Sequence, residues 1–358
     1  MNPSHVDSSA PPADGNDNEA RFQAAQRWSE QCLGTALRVS PIAADASARR
    51  YFRLHSVAVP ERSYILMDAP AQGASTAAFV RIAAMMRSVE IPVPEILAAD
   101  YRNGFLLLSD LGQQTYLQAL AEQPPEPLFV SAIDALLRWQ AASRPARLPE
   151  FSAHLLRAEL ELFPQWYLRH HCQLPLSSAL QRDLERLFTR LIEALEQQPR
   201  TYVHRDYMPR NLLVGDPLPG VLDFQDAVRG PLTYDPICLF RDAFISWPRD
   251  FVRAGLREYW QRGRHIGLPL PDDFEHFWQL CQWTGLQRHI KVIGIFARLR
   301  YRDQKPRYAS DINRFFGYIQ SAGEELRLTA LLAPVLRHAM PQTAEDAASA
   351  AEKGPCAP

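Results

Sequence analysis

Lysine is nearly missing from this chain. Of its 39 basic residues only Lys291, Lys305 and Lys353 are lysines, so the first 290 positions carry arginine as their only permanently charged cation. A codon bias toward arginine produces such a pattern, but it also excludes any chemistry that needs a lysine amine in that stretch. The five cysteines, Cys32, Cys172, Cys238, Cys281 and Cys356, are scattered without a C-x-x-C pair, which argues against a disulfide framework or a zinc site and for a reducing compartment. No run of about 18 apolar residues occurs, and Met1 to Ala20 lacks a basic start followed by an apolar stretch, so the expected location is cytoplasmic, without a membrane partner. With 39 basic against 40 acidic residues the net charge is -1, which excludes a chain-wide nucleic-acid footprint. What is present is an ordinary globular composition, 47% hydrophobic over 358 residues, long enough for two domains or one bilobal unit.

Residues 1–19 and 340–358 lack a hydrophobic period and are expected to be disordered tails. Phe22, Trp28 and Leu33 suggest a first helix from Arg21, and short apolar or alternating runs follow at Leu37 to Ile42, Arg50 to Leu54 and Tyr64 to Met67. Ser75 to Ser88 has helical spacing and stops before Ile91-Pro92-Val93-Pro94, and two more strands are expected at Glu95 to Asp100 and Phe105 to Leu108. Residues 20–112 therefore form a small lobe of mixed strands and helix. Residues 113–339 are mainly helical, with patterns at Glu126 to Ser143, Ala153 to Arg169, Ser178 to Gln197, Phe240 to Arg264, Phe274 to Arg302, Asp311 to Ser321 and Glu324 to Ala339. One strip, Tyr202 to Phe224, breaks the helical pattern with three short apolar segments separated by turn residues.

That strip carries the densest chemistry: His204-Arg205-Asp206-Tyr207-Met208-Pro209-Arg210-Asn211-Leu212-Leu213-Val214, then Val221-Leu222-Asp223-Phe224. Leu212 to Val214 and Val221 to Leu222 flank a turn, so an antiparallel hairpin would bring Asn211 beside Asp223. Asp206 lies five residues before Asn211, in reach of the same end. A carboxylate and an amide oxygen suit Mg²⁺ that takes its other ligands from nucleotide phosphates, and the second carboxylate remains to act on an acceptor hydroxyl. Asp206 is thus the expected catalytic residue, and Asn211 and Asp223 the expected metal ligands. The strip matches H-R-D-x-x-x-x-N followed by D-F.

With these motifs the chain resembles the aminoglycoside phosphotransferase-like small-molecule kinases over roughly residues 25 to 335. The resemblance implies an α+β, bilobal protein-kinase-like fold, with a small mixed β-sheet N-lobe and a larger helical C-lobe, and ATP with Mg²⁺ as cofactors. Met208 stands where protein kinases usually carry lysine, and Asp223-Phe224-Gln225-Asp226 runs quickly to Gly230-Pro231-Leu232-Thr233-Tyr234-Asp235-Pro236 without an A-P-E signature, leaving no room for a peptide-docking segment. More narrowly, Tyr202 to Asn211, Gly294-Ile295-Phe296-Ala297-Arg298, Phe105 to Gly112 and Trp166 to His171 are similar to the anomeric N-acetylmuramate/N-acetylglucosamine kinases of peptidoglycan recycling. That similarity implies phosphorylation of the anomeric hydroxyl to an α-1-phosphate, a product that a uridylyltransferase can use.

The resemblance also assigns expected roles. His204 is structural at the site, and Asp235 braces the catalytic loop. Leu108, Ser109 and Asp110 offer backbone groups to adenine, while Ser47, Arg49 and Arg50 lie near the phosphates. Met67 occupies the position of the usual phosphate-binding lysine, and Ala77 to Met86 has no glutamate to pair with it. Either an arginine such as Arg49, Arg50 or Arg53 neutralises the phosphates, or the metal does so alone. For the sugar the candidates are Glu161, Arg169, Arg210 and Asp226, with Arg210 matched to a carboxylate. Arg298, Arg300 and Arg302 are expected on a solvated helix face. A kinase of the same fold for an aminoglycoside, choline or homoserine-type acceptor stays open, as do a non-catalytic pseudokinase and a protein kinase.

Overall fold

The computed structural model describes residues 15–42, 49–69 and 73–340. Ser47 and the rest of the Asp45 to Ala48 stretch lie outside the described residues, as do most of the two expected tails. The chain divides into two compact units, one of residues up to Val80 with Pro94–Asp110, the other of Arg81–Val93 with residues from Leu111 onward.

In the first unit, α1 (Gly15–Leu33) precedes β1 (Leu37–Ile42), β2 (Arg50–Ser56) and β3 (Ser63–Asp68). After α2 (Gly73–Arg87) come β4 (Ile96–Asp100) and β5 (Phe105–Ser109). The strands agree with the sequence expectation to within two residues, and α1 begins six residues before the expected Arg21. They form one sheet in the order β1-β2-β3-β5-β4, antiparallel throughout rather than mixed. Alternation along the strands sends Leu37, Leu54, Leu66, Phe105 and Leu107 to one face, where they pack with Ala25 and Trp28 of α1. Asp68 shares that face and is fully buried, held by Arg21 at 2.6 Å and by Arg50 through its Nε at 3.0 Å. The β4–β5 turn needs Gly104, at φ +73°, because a Cβ there would lie 2.3 Å from the Ala69 carbonyl oxygen.

The second unit contains α3 (Tyr116–Ala119), α4 (Pro125–Ala141), α5 (Ala153–Leu160) and a π-helical run at Phe163–His171. Next come α6 (Ser178–Glu196) and β6 (Arg200–Val203), then a 3-10 turn at Pro209–Asn211 and the two-residue strands β7 (Leu212–Leu213) and β8 (Gly220–Val221). After β9 (Val228–Pro231) the chain is helical: α7 (Tyr234–Phe240), α8 (Arg249–His265), α9 (Phe274–Tyr301), α10 (Ile312–Glu325) and α11 (Thr329–Ala339). Among the described residues no helix is long and apolar enough to cross a membrane. The long α9 is buried on nearly all sides, with Leu286, Ile290, Ile293, Phe296 and Ala297 in one core with Tyr167, Leu187, Phe188 and Phe315.

Three departures from the sequence expectation have local causes. The expected helix Ala153 to Arg169 is interrupted, because Pro164 has no N–H to give and the chain widens into i to i+5 bonding, as in Cys172 N–H to Tyr167 C=O at 2.9 Å. The expected helix from Phe240 is broken where the Asp242 carboxylate accepts the N–H groups of Phe244, at 2.5 Å, and Ile245, at 2.9 Å. β9 has no apolar run to reveal it and exists by pairing with β6, Arg200 opposite Pro231 through Val203 opposite Val228.

Gly294 explains the glycine of the Gly294 to Arg298 motif. A Cβ there would sit 2.4 Å from the Leu162 carbonyl carbon and 2.5 Å from the Phe163 nitrogen, at the start of the π-helical run. Helix propensity alone would make Gly294→Ala stabilising by about 1 kcal/mol. Overpacking against backbone should instead destabilise it by roughly 1–3 kcal/mol, read by urea denaturation, and a stabilised variant would contradict the close approach.

Candidate active site

The site is built on the segment that leaves β6. Asp235, fully buried in α7, accepts the His204 N–H at 2.7 Å on one carboxylate oxygen and the Arg205 N–H at 3.0 Å on the other. Arg205 adopts φ +78°, a left-handed conformation costly for a side chain with a Cβ, and this clamp holds it there. The imidazole of His204 completes the frame: its Nδ1 lies 3.3 Å from the Asp206 N–H and its Nε2 2.9 Å from the Leu222 carbonyl oxygen. Accepting at Nδ1 and donating at Nε2 is the pattern of one neutral tautomer, and burial depresses the pKa of this ring further. His204 thereby ties the loop before Asp206 to the residue before Asp223.

The loop then closes on itself. Met208 and the Asn211 side chain both donate to the Asp206 carbonyl oxygen, at 3.0 and 2.9 Å, and the Asn211 N–H donates to Met208 at 2.8 Å. β7 and β8 pair Leu212 with Val221 and Leu213 with Gly220, and Leu222 N–H to Asn211 C=O at 2.9 Å extends that register by one step. Asn211 and Asp223 therefore end on adjoining positions of the hairpin. Asp223, at φ +61°, is exposed, and the buried Gln225 amide donates to its Oδ1 at 2.9 Å and to Asp226 at 3.3 Å. Asn211 has its amide nitrogen engaged, so the oxygen is the atom it can offer a cation. Two hard oxygen donors of this kind suit Mg²⁺ that draws its other ligands from water and phosphate.

A buried ion cluster lies beneath the loop, and sequence reasoning missed it. Glu159 of α5 receives Arg205 at 2.5 Å, Lys291 of α9 at 2.8 Å and the Gln287 amide at 3.2 Å. Lys291 also donates to the Tyr234 hydroxyl at 3.1 Å. Arg288 reaches Cys238 Sγ at 3.0 Å, and that thiol donates to the Arg205 carbonyl oxygen at 3.1 Å. Burial opposes the ionisation of Glu159, yet Lys291 and Arg205 outweigh it and hold the carboxyl below its usual range. The same holds for the half-buried Asp206, where burial is overcome by Lys291, Arg288 and Arg205. Asp235 goes the other way: burial pushes it up to about 7 against the pull of its two N–H donors. One signal was available, since Lys291 adjoins the apolar stretch Val292 to Ala297, where a buried ammonium needs a counter-ion.

Other expected site residues are placed elsewhere. Glu161 and Arg169 are exposed, and Glu161 pairs with Arg157 at 3.9 Å; it is Glu159, two residues earlier, that reaches the loop. Arg210 stays in the catalytic loop with its guanidinium 4.6 Å over the Phe244 ring, and the Asp226 backbone carbonyl accepts from Arg205 at 3.4 Å. In the first unit Arg50 lies on the face covered by α1, bound to Asp68, because its register partner is Asp68 while Tyr51 pairs with Met67 on the opposite face. Arg50, expected near the phosphates, is thus engaged by a buried acid. Arg53 is engaged by Asp110 at 2.6 Å, and Asp110 also receives Ser63 at 2.8 Å. Ser109 has its backbone N–H bonded to the Glu95 carbonyl at 2.9 Å, and Leu108 is a buried strand residue. Arg49 is buried at the start of β2. Arg298 is half-buried rather than solvated, with its Nε lacking a partner.

A five-stranded antiparallel unit, and a helical unit whose hairpin carries H-R-D-x-x-x-x-N and a following D-F, define the fold of the protein-kinase-like phosphotransferases. The ADP-bound aminoglycoside phosphotransferase APH(2'')-Ib matches with a TM-score of 0.59 at 13% identity, over 85% of this chain and 98% of that one. A choline kinase from Cryptosporidium parvum matches at 0.58 and 13%, over 89% and 98%. At such identities the likeness is one of fold. The chain belongs to the phosphotransferase enzyme family, which it matches over residues 38–270. It is 44% identical over 92% of its length to an N-acetylmuramate/N-acetylglucosamine kinase of Pseudomonas aeruginosa, covering 99% of that protein. Kinases of the same name from Pseudomonas putida and Neisseria meningitidis are 47% and 40% identical, each over 82% of this chain and over 84% and 87% of theirs.

The ion cluster makes a sharp demand on Glu159. Glu159→Gln leaves Lys291 and Arg205 buried without a carboxylate, which should cost about 3–5 kcal/mol in chemical denaturation. Adding Lys291→Met should restore part of that loss, and a Gln variant as stable as the parent would show that the cluster carries no net charge demand.

Proposed function

We propose that this chain transfers the γ-phosphoryl group of ATP to the anomeric hydroxyl of N-acetylmuramate and N-acetylglucosamine, giving the α-1-phosphate. The observation that carries the reading is the end-to-end 44% identity with a kinase of that name, 99% of which is covered. The arrangement of Asp206, Asn211 and Asp223 on one loop and hairpin supports it. A product phosphorylated at the anomeric carbon suits a downstream uridylyltransferase.

In this reading Asp206 receives the acceptor hydroxyl. Held below the usual carboxylate range, it acts first as an ionised hydrogen-bond acceptor that aims the oxygen at phosphorus, with proton transfer late, as suits a loose phosphoryl-transfer transition state. Asn211 and Asp223 hold Mg²⁺, which when bound would neutralise the phosphate oxygens and keep them in line. His204 and Asp235 act through the backbone: they fix the loop geometry, and neither needs to touch substrate. Met67 stands in β3 where related folds use a lysine, Arg50 faces α1, and Arg53 has its own carboxylate. The charge on the phosphates is then left to the metal that Asn211 and Asp223 would hold and to Arg49. Arg210, within the loop, is the group matched to the lactyl carboxylate that only N-acetylmuramate carries.

ADP release over a panel of amino sugars, amino alcohols and aminoglycosides, with phosphorus NMR of the product, tests the assignment. A 1-phosphate of an N-acetylated amino sugar is expected, and a 6-phosphate or drug phosphate would overturn it. Asp206→Asn should lower kcat by about 10² to 10⁴ with unchanged thermal stability. Arg210→Ala should lower kcat/KM for N-acetylmuramate by roughly tenfold more than for N-acetylglucosamine, and an equal loss on both would remove Arg210 from carboxylate recognition.

A further inference from the structure

The segment between α7 and α8 is built more rigidly than a connection requires. Two contacts tie α7 and this segment to the catalytic loop: Cys238 Sγ of α7 donates to the Arg205 carbonyl oxygen at 3.1 Å, and the Arg210 guanidinium lies 4.6 Å over the Phe244 ring. Residues 238–244 thus run alongside residues 205–210. Their backbone is pinned from three directions. Arg288 donates to the Arg241 carbonyl oxygen at 3.2 Å, Arg314 to that of Ala243, and the Asp242 carboxylate accepts from Phe244 and Ile245.

These restraints present one aromatic side chain. Phe244 is only half-buried, and its ring packs beside Phe296 at 6.0 Å and Tyr308 at 6.2 Å between centroids. Phe296 belongs to the Gly294 to Arg298 motif, whose glycine seats α9 against Leu162 and Phe163, so the motif serves to set the depth of the support under Phe244. A fixed, half-exposed aromatic ring beside a catalytic loop is a surface for the C–H face of a pyranose. A guanidinium already stacked on that ring is held, at little further entropic cost, for a carboxylate carried by the same sugar.

We propose that Phe244 is the platform on which the acceptor sugar packs and that it also holds Arg210 in position, which makes the 242–244 turn a specificity element for this reaction. The proposal rests on the amino-sugar kinase reading above and goes beyond it by assigning the acceptor contact to an element other than the catalytic loop. Phe244 binds the ring common to both sugars, and Arg210 reads the substituent that separates them.

Steady-state kinetics of Phe244→Ala and Phe244→Tyr with both amino sugars and ATP decide it. Phe244→Ala should raise KM for both sugars by roughly tenfold or more, leave KM for ATP within about twofold, and shrink the preference between the sugars as Arg210 loses its ring. Phe244→Tyr, which keeps the aromatic face, should stay within about threefold of the parent on all three substrates. Sugar KM values unchanged in the Ala variant would overturn the proposal, as would a Tyr variant impaired as much as Ala. An Ala variant with collapsed thermal stability leaves the Tyr variant and a Phe244→Leu variant to decide, since leucine keeps bulk and removes the ring face; Leu kinetics equal to the parent would also overturn it. If the parent enzyme turns over neither sugar, the kinase reading itself fails, which is a different outcome from any of these.

Discussion

One carboxylate organises the catalytic segment. Asp235 accepts two consecutive backbone N–H groups, those of His204 and Arg205, and in doing so fixes a left-handed turn at Arg205 that no free chain would keep. From that turn the other placements follow. Asp206 emerges directly after it, His204 faces Leu222 just past β8, and the Asp206 carbonyl oxygen becomes the acceptor that fixes Asn211. The arrangement is made of directional hydrogen bonds to backbone, so its geometry is set before any ligand arrives, which is what a reaction governed by positioning requires.

The scarcity of lysine has a structural counterpart. Where related folds place a lysine on the third strand this chain has Met67, and the adjacent buried acid, Asp68, is neutralised by Arg21 and Arg50 on the other face of the sheet. The first lysine in the sequence, Lys291, is instead buried beneath the catalytic loop with Glu159. Buried as it is, an ammonium there must have a counter-charge, and Glu159 shares its carboxylate between Lys291 and Arg205. The cation normally associated with the nucleotide side is absent from β3, while the cations that bear on Asp206 are Lys291 and Arg288 of helix α9 and the neighbouring Arg205.

Much of the architecture could be read from sequence because its signals are local. The five strands, the helices from α4 to α11 other than α7, and the Leu212 to Val221 hairpin follow from apolar period and turn residues, which depend on neighbours a few positions away. H-R-D-x-x-x-x-N marked Asp206 and Asn211 for the same reason, since five residues of spacing bound how far apart they can be. What could not be read depends on contacts distant in sequence. β9 needs β6 to exist, the break after α7 needs the Asp242 carboxylate to capture two N–H groups, and the π-helical run at Phe163–His171 meets Gly294 from more than a hundred residues away. The inward turn of Glu159 was missed on a similar point, because only the packing of α5 against α9 tells which acid on that helical stretch meets Lys291 and Arg205.

The sequence by itself pointed to the reaction class, because H-R-D-x-x-x-x-N is a contiguous pattern that phosphotransferases share. It also determined that no lysine stands in the third strand. Only the tertiary structure decided which arginines are spoken for: register places Arg50 on the α1 face beside Asp68, and Arg53 meets an acid 57 residues away in sequence. Only the tertiary structure, too, brought Phe244 to Arg210 and Lys291 to Glu159. Charge pairing and aromatic support in a folded chain depend on which surfaces come together, and composition carries no record of that.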